Sequence, residues 1–526
     1  MTKINHHLSK IFELYIRVFL LYIFVLYVIT FLLRENDRRT MVSLKKIFVM
    51  ILVFGALLWS VVPWLRSSLP MDTAEAIVWG KYCLWGTTKH PPLSGWLAYG
   101  FYHLSGNADK IMYLLSQLCV IIGLWYIYKS ARCFLAENKA ILAALLQLGI
   151  IYYHFSAVEF NVNVLSIALW PLGSYYFWRG YTDNKWKNWL LFGLFAGLNL
   201  LNKYIGGVLL LTLALFATAD KKAFALLKNI KVWVAGLVCL AVLVPHLQWL
   251  YATDFEMLNY MVSRGGKSTI AFPLNHIVYP LKFLAAQLLF AAAMLITFFG
   301  FYRHSAKEKR PAVSSATLFI AITAAAPVLI FALIAVISGN SLKSMWGFPC
   351  LYMWGTALFY FWPWQPSSAQ ERKLAYTMAG WSVLFASAYA VQCLLTTSPR
   401  FTTDGKAFAA QMEQKWQENL NAPLRYVGGD VWYTSLLNLY ASADIKPMVW
   451  MSPKNNPWFD ADDFAEKGAL VIAGSIGEYG GYAQNCATVL SAPQKMTLAF
   501  KNYSAKTKYK DVYYGFCLPK EAENGK

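Results

Sequence analysis

The sequence predicts a mostly α-helical, polytopic membrane bundle followed by a small α/β domain, and three observations support this fold class. Of the 526 residues, 58% are hydrophobic and 14% are charged, whereas soluble domains average about 25% charged residues. Apolar runs long enough to cross a bilayer as helices recur up to residue 396. From Thr397 onward these runs shorten, acids and bases balance, and turn signals such as Gly428-Gly429-Asp430 appear.

The N-terminal apolar run, from Ile11 to Leu33, leaves two alternatives open. Residues 1–40 are either an extra leading helix or precede the true start at Met41. No small-residue cleavage site follows this run, which argues against a cleavable signal. Residues 41–396 would form the membrane domain and residues 397–526 the soluble domain. About eleven spans are expected after Met41, about 11 to 12 in all; they cover residues 47–65, 110–128, 139–154, 162–178, 188–201, 204–219, 232–251, 277–302, 313–338, 344–364 and 375–396.

The distribution of basic residues predicts the orientation. The net charge is +20, which in a soluble protein would suggest nucleic-acid binding. Here Lys and Arg gather in every second connection between apolar runs, so those connections belong to the cytoplasm. Nucleic acid is therefore excluded as a partner. The first outward loop, residues 66–108, and the tail after Thr397 would face the periplasm of a bacterial inner-membrane protein.

The tail is predicted to be a soluble α/β domain. The short β-like runs LRYVGG, PMVWM, ALVIAG and VYYGFC alternate with the helical stretches GKAFAAQMEQKWQENL and WYTSLLNLYASA. Cys486 and Cys517 lie in this part, and a disulfide between them would form if it lies in an oxidising compartment. No Cys-x-x-Cys pair occurs, which argues against a metal ribbon.

The first outward loop concentrates charged residues where the first apolar run stops. Asp72 and Glu75 have i, i+3 spacing and share one face if the segment is helical, with Pro70 as a start signal. The turn Lys89–Pro92 carries two prolines, which remove two backbone donors. This loop is either an acid patch beside a basic turn at the bilayer surface or an ordinary solvated connection.

Several motifs occur in an order that resembles the family 39 glycosyltransferases of the GT-C class. This group is the protein mannosyltransferase superfamily, which includes bacterial lipid A aminoarabinose and galacturonic acid transferases. The resemblance runs from about Phe48 into the tail patterns RYVGGDVW and NPWFD. The motifs are DTAEAIVWG, KHPPLSGWL, FNVNVLSIALWPL, WLLFGLFAGLNLLNKY, PHLQWL and KSMWGFP.

The resemblance implies a GT-C fold and transfer of a sugar, a hexose or a pentose, from a polyprenyl-phosphate donor outside the cytoplasm. It implies an inverting displacement in which a first-loop aspartate, matched here by Asp72, is the base. Glu75 would tune or orient Asp72, and a solvated helix face is the alternative for Glu75. The expected acceptor is a lipid A or core oligosaccharide, although protein or another cell-envelope glycan stays open.

The departing phosphate needs cations near the bilayer surface. Lys203 is the leading candidate because it interrupts two apolar runs, where an ionisable residue is costly without a partner; a snorkelling lysine is the alternative. Four further phosphate candidates are ordinary loop charges otherwise: Lys89, Arg264, Lys267 and Lys343. The candidate substrate-binding residues are His90, Glu159, Asn161, Asn163, Tyr204 and His246. Helix capping is the alternative for the two asparagines.

One departure concerns metal binding. The aminoarabinose transferases carry an acid before the Lys-Pro of this turn, and that acid helps to hold a metal, whereas here the triplet is Lys89-His90-Pro91. A cation replaces the anion, so no tightly bound metal is expected, although a divalent cation stays open through His90 and His246. The competing function is a transporter of lipid-linked sugars, which predicts charged or broken helices at mid-membrane.

Overall fold

A computed structural model describes residues 43–263, 268–304, 306–309, 311–420, 422–453, 456–486, 488–503 and 506–520. The first apolar run, Arg264 and Lys267 lie outside these residues. The roles proposed for them and the choice of start therefore stay predictions.

The part before residue 396 is mostly helical, as predicted. Five helices in the described part are long and apolar enough to cross a membrane, or seven segments if each of two bent pairs is one span. Length and composition thus identify fewer than the predicted eleven or so spans in the described residues, and they do not test the remaining ones. The helices are α1 (Leu44–Val61), α2 (Met71–Lys81), α3 (Leu93–Leu104), α4 (Met112–Ala131), α5 (Glu137–Leu146), α6 (Val162–Asp183), α7 (Trp186–Asn202), α8 (Gly206–Ala219), α9 (Lys221–Ala225), α10 (Ile230–Ala252), α11 (Glu256–Ser263), α12 (Asn275–Phe290), α13 (Ala292–Arg303), α14 (Ser315–Ser338), α15 (Trp354–Phe361) and α16 (Ser368–Leu395).

Three predicted spans differ from the continuous helices that the apolar runs suggest. The segment after α5 bends by 85° at Ile150, and α12 and α13 meet at 60°. Gly149 lies against the backbone of Met294, and a Cβ atom there would come within 2.4 Å of the Met294 nitrogen. The run 344–364 gives a 3-10 turn, Ser344–Gly347, and then the short helix α15. Pro349 contributes to this break, because it has no backbone N–H to donate to the preceding turn.

The first loop folds into the helical hairpin α2–α3. Pro70 is the N-cap of α2, so the predicted start is confirmed. The two helices touch at glycines, and a Cβ atom on Gly80 would lie 2.0 Å from the Gly95 carbonyl oxygen. This close approach holds the acid-bearing helix against the Lys89–Pro92 side of the loop.

The tail contains the predicted α/β structure. Its sheet has the strand order β4-β3-β5-β7-β6, where these labels denote the strands whose ranges are given at the end of the next paragraph. Strand β3 is parallel to β4 and β5, and β7 is antiparallel to β5 and β6.

Four of these strands match the predicted runs. Strand β6 was not predicted, because most of its residues are exposed. Cys486 and Cys517 form a disulfide. The strands are β1 (Ala306–Lys307) and β2 (Trp364–Gln365) in the membrane part, then β3 (Tyr426–Gly429), β4 (Lys446–Val449), β5 (Ala469–Ala473), β6 (Gln494–Lys501) and β7 (Thr507–Cys517). The tail helices are α17 (Pro399–Thr402), α18 (Gly405–Asn419), α19 (Val431–Tyr440), α20 (Ala461–Lys467) and α21 (Ile476–Gly481).

The tail packs on the first loop. The hydroxyl of Tyr440 donates to the carboxylate of Asp109 at 2.8 Å and accepts from the backbone N–H of Leu69 at 3.3 Å. The ring of Tyr82 stacks on Trp458 with centroids 4.1 Å apart. These contacts involve residues just before and just after α2, so the tail packs over the loop that carries Asp72.

Candidate active site

Asp72 lies in the first turn of α2, where backbone N–H groups have no partner within the helix. Its own N–H donates to Glu159 Oε1 at 2.7 Å, and its Oδ2 accepts from Asn161 Nδ2 at 3.2 Å. The neighbouring Thr73 hydroxyl donates to the Phe160 carbonyl at 3.2 Å. The segment 159–161 is therefore fixed across the start of α2, and two carboxylates lie side by side there.

The proximity of the two acids perturbs Glu159. Burial and then the negative charge of Asp72 raise the pKa of Glu159 to about 7, while the charges of Arg66 and Arg400 act in the opposite direction. Desolvation and a like charge both disfavour the ionised form of a carboxyl group. Near neutral pH, Glu159 is thus divided between its neutral and charged forms.

Two asparagines connect this acid pair to Lys203. Asn161 is the N-cap of α6, because its Oδ1 accepts from the backbone N–H of Asn163 at 2.9 Å. The Lys203 ammonium donates to Asn163 Oδ1 at 2.7 Å. Asn161 therefore caps a helix and also contacts Asp72, while its binding of substrate stays a prediction.

Lys203 reaches this position because the chain leaves helical geometry between α7 and α8. It is the C-cap of α7 with extended backbone. The preceding Asn202 is fully buried, and its amide donates to the Val162 carbonyl at 2.8 Å and to Ser166 Oγ at 3.0 Å. These bonds fix the break against the start of α6, where the Lys203 ammonium contacts Asn163.

Glu75 has a different environment from Asp72. Its carboxylate is ion-paired with the Lys89 ammonium, and the two side chains are 4% and 11% exposed. Lys89 also lies 4.9 Å from the ring centroid of Trp450 and 5.7 Å from that of Trp79. The charge of Lys89 is thus balanced by Glu75, and the carboxylate hydrogen-bonded to Asp72 is Glu159.

Among the remaining candidates, His246 joins Tyr204 to the first loop, and His90 belongs to that loop. Tyr204 OH lies 2.8 Å from His246 Nε2, and His246 Nδ1 lies 2.6 Å from the Trp85 carbonyl oxygen. A carbonyl can only accept, so we assign the proton to Nδ1 and the acceptor role to Nε2. His90 packs edge-on against Trp79 at 5.9 Å. Lys343 lies just before the turn Ser344–Gly347, and its role stays a prediction.

Sequence reasoning missed Arg66. Its guanidinium is buried, donates to Tyr389 OH at 3.3 Å and to the Arg400 carbonyl at 2.5 Å, and lies 4.1 Å from the Phe401 ring centroid. Its charge acts on Glu159. Its position as the first basic residue after the first span, shortly before Asp72, is the signal that could have identified it.

The site does not fit a metal in the way the family pattern implies. No group of three or more His, Cys, Asp or Glu side chains in the described ranges is arranged to hold a metal ion. The acid next to the Lys89–Pro92 turn is Glu75, which already has a cationic partner. Both ring nitrogens of His246 are engaged in hydrogen bonds.

Comparisons with known proteins agree with the sequence motifs. Residues 89–249 match the family described as dolichyl-phosphate-mannose-protein mannosyltransferase. The chain is 23% identical over 332 residues to the lipopolysaccharide core galacturonosyltransferase RgtB of Rhizobium johnstonii, covering 61% of this chain and 65% of that protein. It is 24% identical over 276 residues to RgtA of the same organism, covering 51% and 54%. Both matches thus span less than two thirds of the relative's length.

The fold is shared with a solved structure. ArnT from Cupriavidus metallidurans superposes with a TM-score of 0.57 in its apo state, at 12% identity and covering 89% of this chain and 97% of ArnT. The structure of ArnT bound to undecaprenyl phosphate gives 0.59 at 13% identity, covering 90% and 98%. This likeness shows a shared fold, and the family match over residues 89–249 agrees with the motifs that predict the GT-C resemblance.

Proposed function

We propose that this chain is an integral membrane glycosyltransferase that moves a sugar from a polyprenyl-phosphate donor to a lipid A or core-oligosaccharide acceptor on the periplasmic face. The observation that carries the proposal is the hydrogen-bonded series Lys203–Asn163–Asn161–Asp72–Glu159. It joins a cation suited to a phosphate with a carboxylate suited to a proton. A single-displacement glycosyl transfer needs both groups on opposite sides of the reacting carbon.

In this mechanism Asp72 is the general base. Its carboxylate takes the proton of an acceptor hydroxyl while that oxygen bonds to the anomeric carbon of the sugar. The bond from the anomeric carbon to the phosphate oxygen breaks, and the lipid phosphate leaves with the electron pair. A single displacement inverts the configuration at that carbon.

Lys203 would stabilise the departing phosphate. A fixed ammonium group near the bilayer surface compensates the charge that develops on the leaving oxygen. Its bond to Asn163 limits where the ammonium can lie.

Glu159 would adjust the charge of the site. A neutral Glu159 leaves Asp72 as the single charge of the acid pair, which lessens repulsion of an anionic donor. The positive charges of Arg66 and Arg400 act in the opposite direction, since they lower the pKa of Glu159 and favour its charged form. Glu75 and Lys89 would instead hold the first loop in place, since they balance each other.

The alternative, a transporter of lipid-linked sugars, has one supporting observation in the two bent helix pairs. A transporter site at such breaks carries charged or coordinating groups. Residues 147–158 and 287–295 contain neither an acid nor a lysine or arginine. The charged groups lie instead around Asp72, which favours transfer over transport.

The test uses cells that lack the gene and carry wild-type protein, Asp72→Asn or the control Asp444→Asn. Asp444 is an exposed acid paired with Lys81 at the far end of α2. Mass spectrometry of lipid A and surface polysaccharide should show that one sugar is missing in the deletion strain and in the strain with Asp72→Asn. The wild-type protein and Asp444→Asn should restore that sugar. An unchanged glycan profile on deletion would contradict the acceptor class, and full restoration by Asp72→Asn would contradict the base role. Lost lipid movement with intact transfer in vesicles would support the transporter.

A further inference from the structure

The hairpin formed by β6 and β7 has an unusual charge pattern that the glycosyltransfer site does not use. Residues 501–510 contain four lysines, two tyrosines and no acid. Lys506, Lys508 and Tyr509 are exposed, Tyr509 by 72%. Asp511, the nearest acid along β7, is ion-paired with Lys495 at 2.8 Å. The end of this hairpin therefore carries exposed cationic and aromatic side chains.

This surface lies at the end of a helix that is long enough to cross the bilayer. The Asn502 amide donates to the Leu395 carbonyl at 2.6 Å, and the Tyr503 N–H donates to the Leu394 carbonyl at 3.2 Å. Asn502 is itself fixed, because its Oδ1 accepts from the Lys506 N–H at 3.0 Å. The hairpin is thus bonded to the last carbonyls of α16 and cannot move away independently.

The position along α16 sets the depth of the hairpin. The charged residues of this helix, Glu371–Lys373, occur in its first turns, and an uninterrupted uncharged stretch runs from Leu374 to Leu395. At 1.5 Å per residue this stretch is roughly 33 Å long, close to the thickness of the hydrocarbon core. The uncharged stretch ends at Leu395, so if α16 spans the bilayer this residue would lie near the border between hydrocarbon and headgroups.

We propose that the end of this hairpin, which carries Lys501, Tyr503, Lys506, Lys508 and Tyr509 on its two faces, binds the anionic headgroups of the bilayer. Tyrosine rings favour the membrane interface, and lysine stems reach along it while the ammonium groups contact phosphate. Positive charge held at this depth is complementary to an anionic lipid surface. The contact would anchor the tail above the first loop. It does not depend on the proposed transfer reaction.

The experiment measures hydrogen–deuterium exchange of the β6–β7 hairpin in the full-length protein. The protein is placed in nanodiscs of phosphatidylcholine alone or with phosphatidylglycerol. Slower exchange is expected with phosphatidylglycerol, and each lysine removed should lower this lipid-dependent protection about fivefold. High salt should reduce it as well.

Three variants and one ligand arm decide the outcome. Lys506→Gln/Lys508→Gln should lose most of the difference between the two lipids, whereas Lys506→Arg/Lys508→Arg should keep it. The control Lys415→Gln/Lys467→Gln removes two charges elsewhere in the same domain and should also keep it. Equal exchange in both lipids, or loss of the difference in the control, would overturn the proposal. Protection by inorganic phosphate in phosphatidylcholine nanodiscs would show a free-phosphate site and overturn it too.

Discussion

Helix α2 carries two carboxylates one turn apart, and the protein surrounds them in opposite ways. Glu75 is buried against the ammonium of Lys89, so the two charges balance. Asp72 lies beside a second carboxylate, Glu159, and burial together with the negative charge of Asp72 raises the pKa of Glu159 to about 7. A balanced buried pair fixes geometry, whereas an unbalanced pair stores electrostatic free energy that a proton or a substrate can release. We therefore propose a structural role for Glu75 and a chemical role for Asp72.

Replacing Asp72 tests the chemical half of the comparison and has the largest expected effect. Asp72→Asn keeps the side-chain shape but removes the base, so kcat for sugar transfer should fall about 10²–10⁴-fold. The rate is measured with purified protein and a lipid-linked donor. Asp444→Asn is the matched control and should leave kcat unchanged; a loss below about tenfold in Asp72→Asn would show that another group takes the proton.

Replacing Lys203 tests whether the cation at the α7–α8 break acts on the leaving group. Lys203→Met should lower kcat about 10²–10³-fold, because the charge on the phosphate is no longer compensated. Lys203→Arg should recover part of the loss. Lys81→Met, a lysine that pairs with Asp444 outside the site, serves as control. If Lys203 only snorkels to the bilayer surface, Lys203→Met and Lys81→Met should both lower kcat slightly and to the same extent.

The Glu75–Lys89 pair tests the structural half. Glu75→Gln leaves a buried ammonium without its partner, so it should lower the free energy of unfolding by about 3–5 kcal/mol. The double variant Glu75→Gln/Lys89→Met removes both charges and should restore most of it. Thermal unfolding in detergent measures both.

The same double variant also addresses the phosphate role predicted for Lys89. We expect its transfer rate to stay within about tenfold of wild type, since a pair that only holds the loop contributes little to the chemical step. If its kcat falls as far as that of Lys203→Met, then Lys89 binds the donor and the comparison fails.

The sequence was most informative where polar residues interrupt apolar runs. Asp72, Glu159, Asn161, Asn163 and Lys203 all stand out for this reason, because a charged or amide group near the bilayer needs a partner. The structure brings all five into one hydrogen-bonded series. The spacing of these residues in the sequence could not predict which of them form hydrogen bonds with each other.

Two contacts of the structure could not be predicted from the local sequence, and both have physical causes. The i, i+3 spacing predicts that Glu75 tunes or orients Asp72, and this stays a prediction; what the spacing could not predict is the ion pair of Glu75 with Lys89. Strand β6 escaped detection because its residues are mostly exposed and give no continuous apolar run. In both cases long-range contacts, not local pattern, decide the outcome.

The smallest expected effect concerns the pH dependence of Glu159. Because the pKa of Glu159 is raised to about 7, its charge appears as the pH rises through neutrality and should repel an anionic donor. We expect the donor KM of the wild type to rise a few-fold from about pH 6 to about pH 8. Glu159→Gln is neutral throughout and should show a flat profile.

The same shift has a consequence for stability. A raised pKa means that folding favours the protonated form, so this contribution is fully present below the ordinary pKa of a glutamate and is lost as the pH rises through about 7. As the pH rises above about 7, the unfolding temperature of Glu159→Gln should therefore increase relative to that of the wild type. Equal pH profiles of KM and stability in the two proteins would show that Glu159 does not titrate in this range.

The most direct measurement separates donor binding from chemistry in Asp72→Asn. Donor Kd is measured by equilibrium binding, and the single-turnover transfer rate by rapid quench, both in the purified full-length protein. We predict a Kd within about threefold of wild type and a transfer rate at least about 10²-fold lower, because the base acts only as the acceptor attacks. A rate loss that is fully explained by weaker donor binding would contradict the assignment of Asp72 as the base.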